Sequence, residues 1–226
     1  MTSDRSVVAD SLGVGVATGA YGVSFGALAT GAGLDVWQAC VLSLTVYTGA
    51  SQFAFIGVVA SGGNPLIGAF TALLLGSRNL FYGLSLAPLL RLTGPARLAS
   101  AQLVSDETTA MTISRETTRQ ARLGFYWTGL TIFVLWNATT FLGALAGTAI
   151  GDPRDFGLDA AVGAAFLGLL WPRLTSWGSR LTALLAAAVA LGLVPFTAAG
   201  IPIIVGGAVA VLVGILRHVT LPEGLP

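Results

Sequence analysis

Lysine is missing from this chain, histidine and cysteine occur once each, and only 9% of its 226 residues are charged. A soluble domain carries about 25% charged residues, so no water-facing surface can be built from this composition. Ten acids and eleven bases nearly cancel, which leaves no basic field for nucleic acid and no acidic tail. Cys40 stands alone in an apolar run, so neither a disulfide framework nor a thiolate metal site can be assembled. His218, the one histidine, lies near the C-terminus, which excludes a Ser–His pair with the serines of the second and third apolar segments and any zinc-protease His pair. Acids are absent from the centres of the apolar segments, since Asp10, Asp35, Asp152, Asp155 and Asp159 fall at segment ends. No catalytic residue, cofactor or metal is therefore expected.

What is present is hydrophobic: 54% of the residues and a mean hydropathy of +0.83. Thirty glycines add the small side chains that let membrane helices approach closely. The expected fold is all-α, a polytopic membrane helical bundle forming one domain over residues 1–226. About twenty apolar residues cross a bilayer, and cutting at charge and helix punctuation leaves segments 8–32, 36–60, 64–90, 121–148, 157–172, 178–195 and 199–217. Seven crossings are expected, with six or eight as alternatives, and the first segment is kept as a mature span because it is too long for a signal peptide.

Residues 91–122 hold Arg91, Arg97, Arg115, Arg119 and Arg122, so the positive-inside rule places this loop in the cytoplasm. Seven crossings then put the C-terminus in the cytoplasm and the N-terminus, with Arg5, outside. Residues 105–119 read as a polar surface helix in which Glu116 and Arg119 pair, with a gate or partner contact at Asp106 and Glu107 as the alternative. A weak echo links Phe25-Gly26-Ala27-Leu28-Ala29 to Leu142-Gly143-Ala144-Leu145-Ala146. It suggests three-helix repeat units over 8–90 and 121–195 with inverted topology.

Two polar words interrupt the apolar segments. Tyr47-Thr48-Gly49-Ala50-Ser51-Gln52-Phe53 sits mid-way along the second. Backbone leaves helical pairing in a bilayer only where protein or a wet cavity surrounds it, and a broken helix offers free N–H groups to an anion. The same word also suits an unbroken helix with a close-packed neighbour, although the Gln52 amide then lacks partners. Ser77-Arg78-Asn79 with Tyr82 interrupts the third segment. Arg78 lies too deep to snorkel, and a central Arg costs about 2.5–3.5 kcal/mol on insertion scales. No acid is expected at its depth, so freed carbonyls, amides, tyrosine hydroxyls, water or a substrate carboxylate remain as its partners.

These words carry a family resemblance. Gly22-Val23-Ser24-Phe25-Gly26-Ala27, Thr48-Gly49-Ala50-Ser51-Gln52-Phe53-Ala54, Arg78 with Tyr82-Gly83-Leu84-Ser85-Leu86-Ala87-Pro88, and Asp106-Glu107 together resemble the AzlC-type branched-chain amino acid exporter family, closely over residues 12–110. The resemblance implies a plasma-membrane permease subunit exporting leucine, isoleucine and valine, with a small AzlD-type membrane subunit as partner. The family commonly has Asn two residues before the Arg and His directly after it, where this chain has Gly76 and Asn79. The expected substrate-binding residues are Tyr47, Thr48, Gly49, Ser51, Gln52, Phe53, Arg78, Asn79 and Tyr82, with Phe55 beside Phe53 as an apolar wall. A passive channel and a non-transporting scaffold are the rival readings.

Overall fold

The computed structural model describes residues 3–150, 167–168 and 170–220. Residues long in Ala, Leu and Gly form helices throughout, and no strand occurs among the described residues. The elements are α1 (Asp4–Ala20), α2 (Gly22–Gly31), α3 (Val36–Thr45), α4 (Ala50–Ala60), α5 (Pro65–Gly76) and α6 (Arg78–Leu90). They continue as α7 (Gly94–Ala101), α8 (Asp106–Ile113), α9 (Thr118–Ile150), α10 (Trp177–Leu193) and α11 (Ile201–Thr220), with a 3₁₀ turn at Trp171–Arg173. Ser3, Asp35, Asn64, Ser105 and Ser176 cap their helices through side-chain oxygens.

Among the described residues, three helical stretches are long and apolar enough to cross a membrane: Asp4–Gly31, Pro65–Leu90 and Thr118–Ala149. The first is α1 and α2, joined through Tyr21, and it packs along α9 in the same direction. Asp4 pairs with Arg119 at 2.8 Å, and Thr139 Oγ1 donates to the Gly19 carbonyl at 2.6 Å. Further along, Gly147 rests against Ala27. At Gly26 and Gly143 the backbones touch, and a methyl group there would overlap the Thr140 and Val23 carbonyls. The second stretch, α5 and α6 joined at Ser77, runs the opposite way, since Arg122 Nε donates to the Leu90 carbonyl at 2.8 Å. The end of the bundle holding Asp4, Leu90 and Arg119 is called the near end below.

The expected crossing at 36–60 is a correction: it enters from the far end and returns there. α3 runs against α9, with Ser43 Oγ donating to Thr140 Oγ1 at 3.4 Å and Tyr47 packed edge-on against Phe133. The chain leaves the helix at Val46, turns at Gly49 (φ 57°) and goes back as α4. α4 lies antiparallel to α5, with Ser51 against Gly76 and Phe55 against Gly68. The helix break expected near Gly49 is therefore present, and it is the tip of a V.

A second V enters from the near end. In α7 Ser100 bonds to Tyr126, while Leu103, next to the tip, packs on Gly129; in α8 Thr108 packs on Gly129 and Met111 on Gly124. Its tip, residues 102–105, meets the first tip, where Gln102 Nε2 donates to the Leu44 carbonyl at 2.9 Å. Residues 91–122 are thus only partly a loop, and 105–119 is not one surface helix. α8 ends at Ile113, and Arg119 takes Asp4 rather than Glu116. Hydropathy hides α8 because its buried face is threonine: Thr108 and Thr112 are fully buried, and Thr112 donates to the Thr108 carbonyl at 2.6 Å.

Two further expectations change. Arg5 and the start of α1 lie at the same end as Arg115 and Arg119, as the Asp10–Arg115 (3.3 Å) and Asp4–Arg119 pairs require, so they are not on opposite sides. The echoing words at 25–29 and 142–146 sit in parallel helices packed on each other, which is not the relation of inverted units. The fifth segment, 157–172, lies largely outside the described residues. The sixth and seventh are α10 and α11, an antiparallel pair in which Gly206 packs on Ala186 and Ala190.

Overpacking a well-packed contact costs typically about 1–3 kcal/mol. Gly143→Val is expected to lower the detergent melting temperature accordingly, while Gly13→Ala, with open space at its Cβ, leaves it within about 0.5 kcal/mol of the original. In a Cys40→Ala background, cysteines placed at the exposed Ser3 and Ser114 are expected to react with an impermeant maleimide from the cytoplasmic side, because arginines gather at their end. A cysteine at Ser61, exposed at the far end, is expected to react from outside. Labelling of positions 3 and 114 from opposite sides would break the parallel arrangement of α1 and α9.

Candidate functional site

The two tips enclose a cavity of about 500 Å³ in the middle of the bundle. Tyr47, Thr48, Gly49, Ala50 and Phe53 form one side, and Ser105, Asp106 and Glu107 form another. Ala17, Thr18 and Tyr21 from the first span, Ile132 and Trp136 from α9, Arg78 and Gly168 complete the wall. The aromatic part is mutually packed: Phe53 meets Tyr21 and Phe25 at 5.7 Å and Trp136 at 6.2 Å between ring centroids.

Gly49 adopts φ 57° and ψ −90°, a conformation that a Cβ would strain. This turn aims the start of α4 into the bundle centre, and the N–H groups of Gly49, Ala50 and Ser51 have no partner among the described residues. Unpaired first-turn amides with the helix dipole behind them favour an anionic group.

Arg78 starts α6 and ties the tips together. Its Nη2 lies 2.7 Å from Asp106 Oδ2 and donates to the Thr48 carbonyl at 3.4 Å. The expectation that no acid reaches its depth is corrected: α8 returns to the bundle centre and delivers Asp106 there. Asp106 Oδ1 accepts from Tyr82 Oη at 2.5 Å, and Arg173 approaches it at 3.6 Å while donating to Tyr82 Oη at 3.0 Å. Both Asp106 oxygens are thus engaged, and the acid sits in the first turn of α8, where the helix dipole favours it. Arg173 is 67% exposed and its ion pair contributes little.

Of the expected residues, Tyr47, Thr48, Gly49, Phe53 and Arg78 line this cavity. Tyr82 reaches it only through Asp106. Asn79 instead donates to the Val104 carbonyl at 3.3 Å and lines a neighbouring cleft between α6 and α7. Ser51 and Gln52 are buried behind the wall, where Gln52 Nε2 donates to the Leu42 carbonyl at 3.3 Å across the arms of the first V. Phe55 packs on Gly68, away from the cavity. Tyr47 Oη and Trp136 Nε1, on the wall and with residues only 6% and 4% exposed, have no hydrogen-bond partner among the described residues. Trp136 is not among the expected site residues, and Asp106 and Glu107 are read from the sequence only as an alternative gate or partner contact in a loop, not as part of a central cavity. The Ser105–Thr108 capping box is the sequence signal that marks a helix start just before the two acids.

The outer surface carries large exposed apolar side chains, among them Leu66, Leu73, Trp37 and Phe196, which only hydrocarbon solvates without penalty. Fold and cavity together define a multi-pass membrane protein whose central chamber has mainly apolar walls and a few polar groups. The chain belongs to the AzlC family, whose model matches residues 13–150 as "AzlC protein". It is 32% identical over 153 residues to an uncharacterized membrane protein of Archaeoglobus fulgidus, covering 67% of each chain. It is 23% identical over 148 residues to the branched-chain amino acid transport protein AzlC of Bacillus subtilis, covering 65% of this chain and 58% of that one. No solved structure matches.

Removing one partner of a fully buried ion pair costs roughly 3–5 kcal/mol. Arg78 and Asp106 side chains keep 24% and 18% exposure, so Asp106→Asn is expected to cost less, about 2 kcal/mol, read as a lower detergent melting temperature. Adding Arg78→Gln to it should destabilise by less than the sum of the two single changes. Additive effects would show that the pair is not coupled.

Proposed function

We propose that this chain is a plasma-membrane permease subunit that exports small zwitterionic amino acids of the branched-chain class, by alternating access around the cavity between the two tips. The observation that carries it is the cavity itself. Its volume falls within the roughly 300–1,000 Å³ of small-molecule sites, it is walled by Phe53, Ile132 and Trp136, and it has the free amides of Gly49 and Ala50 at one side and carboxylates at another. Apolar walls suit an aliphatic side chain, and the amides suit a carboxylate. Membership of the AzlC family and the transport role named for the Bacillus subtilis relative support the same reading.

In this reading Thr48 and Gly49 meet the main chain of the solute, Ser51 supplies an amide, and Gln52 braces the first V through Leu42. Arg78, already holding Asp106 and Thr48, couples the tips, with Tyr82 supporting Asp106. Residues 91–122 and the C-terminus face the cytoplasm, and the whole chain works as one transport domain. A small AzlD-type membrane subunit is the proposed partner, on the strength of the family resemblance.

Vesicles containing the protein are expected to release preloaded radiolabelled leucine faster than protein-free vesicles and to show counterflow, which a passive channel does not. Arg78→Lys keeps the charge but not the planar two-point geometry. Its efflux per folded molecule is expected to fall about tenfold or more, with membrane abundance retained. Leucine release equal with and without the protein would reject the transport reading.

A further inference from the structure

The cavity wall holds two acids, and they differ in occupancy. Asp106 has both oxygens committed to Arg78, Tyr82 and Arg173. Glu107 has no ion pair among the described residues. Its Oε2 accepts from Ser105 Oγ at 2.9 Å, and its Oε1 has no partner there. It is half-buried and lines the same cavity as Gly49 and Ala50, whose amides are also free. Tyr47 Oη and Trp136 Nε1, buried and unpartnered, lie on that wall as well. One chamber thus carries an unneutralised carboxylate and a set of unfilled donors, the two poles an α-amino acid main chain presents in reverse.

We propose that Glu107 anchors the α-ammonium of the solute, and that this contact makes the cavity select α-amino acids over 2-oxo acids of the same carbon skeleton. The inference rests on the transport reading above and names the residue that sets its substrate class. A 2-oxo acid offers the carboxylate and the side chain but no ammonium. Bound here, it would leave Glu107 uncompensated beside a second negative charge, and like charges in a partly desolvated site repel strongly. Sites that pair a substrate's donor reject analogues lacking it, because their own polar group is then left unpaired. A charge in place of that polar group widens the discrimination.

The test uses the full chain in lipid nanodiscs, titrated with leucine and with 4-methyl-2-oxopentanoate. The unaltered protein is expected to bind leucine at least about tenfold tighter than the oxo acid. Glu107→Gln is expected to weaken leucine by about tenfold or more while the oxo acid binds as well or better, so that the preference shrinks or inverts. A merely structural role for Glu107 would weaken both ligands together and leave their ratio unchanged, which overturns the proposal. So does equal binding of the two ligands by the unaltered protein, a comparison that needs no variant to fold. If the unaltered protein binds no branched-chain amino acid, the transport reading fails; if it binds leucine and Glu107→Gln keeps the preference, only this inference fails.

Discussion

Among the described residues, four helices, α3, α4, α7 and α8, stop in the middle of this bundle, and each leaves backbone groups that hydrocarbon cannot solvate. In a bilayer such ends survive only where protein or a water-filled cavity receives them. The arrangement follows from that requirement. Gln102 takes the Leu44 carbonyl, Arg78 takes the Thr48 carbonyl, and Asn79 takes the Val104 carbonyl. Asp106, at the start of α8, balances the arginine that these contacts demand. Among the described residues, the amides of Gly49 and Ala50, Tyr47 Oη, Trp136 Nε1 and one oxygen of Glu107 stay unfilled on the wall of the space between the tips.

Much of this was legible from residue order. The apolar content and glycine use indicated a helical membrane bundle, and the polar word at 47–53 marked a break that the structure places at Gly49. Arg78 stood out because its insertion cost calls for a partner. The direction of the arms was not legible. An apolar run of 25 residues interrupted by a polar word looks the same whether the chain continues across or folds back, and only contacts with α9 and α5 distinguish the two.

The second V was missed for a different reason. α7 and α8 have eight residues each, too short to register as spans, and α8 buries threonines that satisfy themselves on carbonyls of the preceding turn. Hydropathy counts such residues as surface. Hydropathy alone thus leaves the acid that partners Arg78 in a loop. The end at which α1 starts is reversed for another reason: the first V counts as a crossing in the sequence, and a stretch that returns without crossing changes the parity of every helix before or after it.

The seam between the first span and α9 has its own consequence. At Gly26 and Gly143 main chain lies directly on main chain, with no side-chain rotamer to absorb a displacement. A slip of one residue would bring the Cβ of Phe25 or Ala27 to the place where Gly26 meets the Thr140 carbonyl, so this pair has a single register. The tips, held to each other and to Arg78 by a few polar bonds, are the parts free to exchange partners. In the transport reading proposed above, a solute entering between them would compete for those bonds against that backdrop, so its arrival would be felt as a rearrangement of the tips rather than a deformation of the whole bundle.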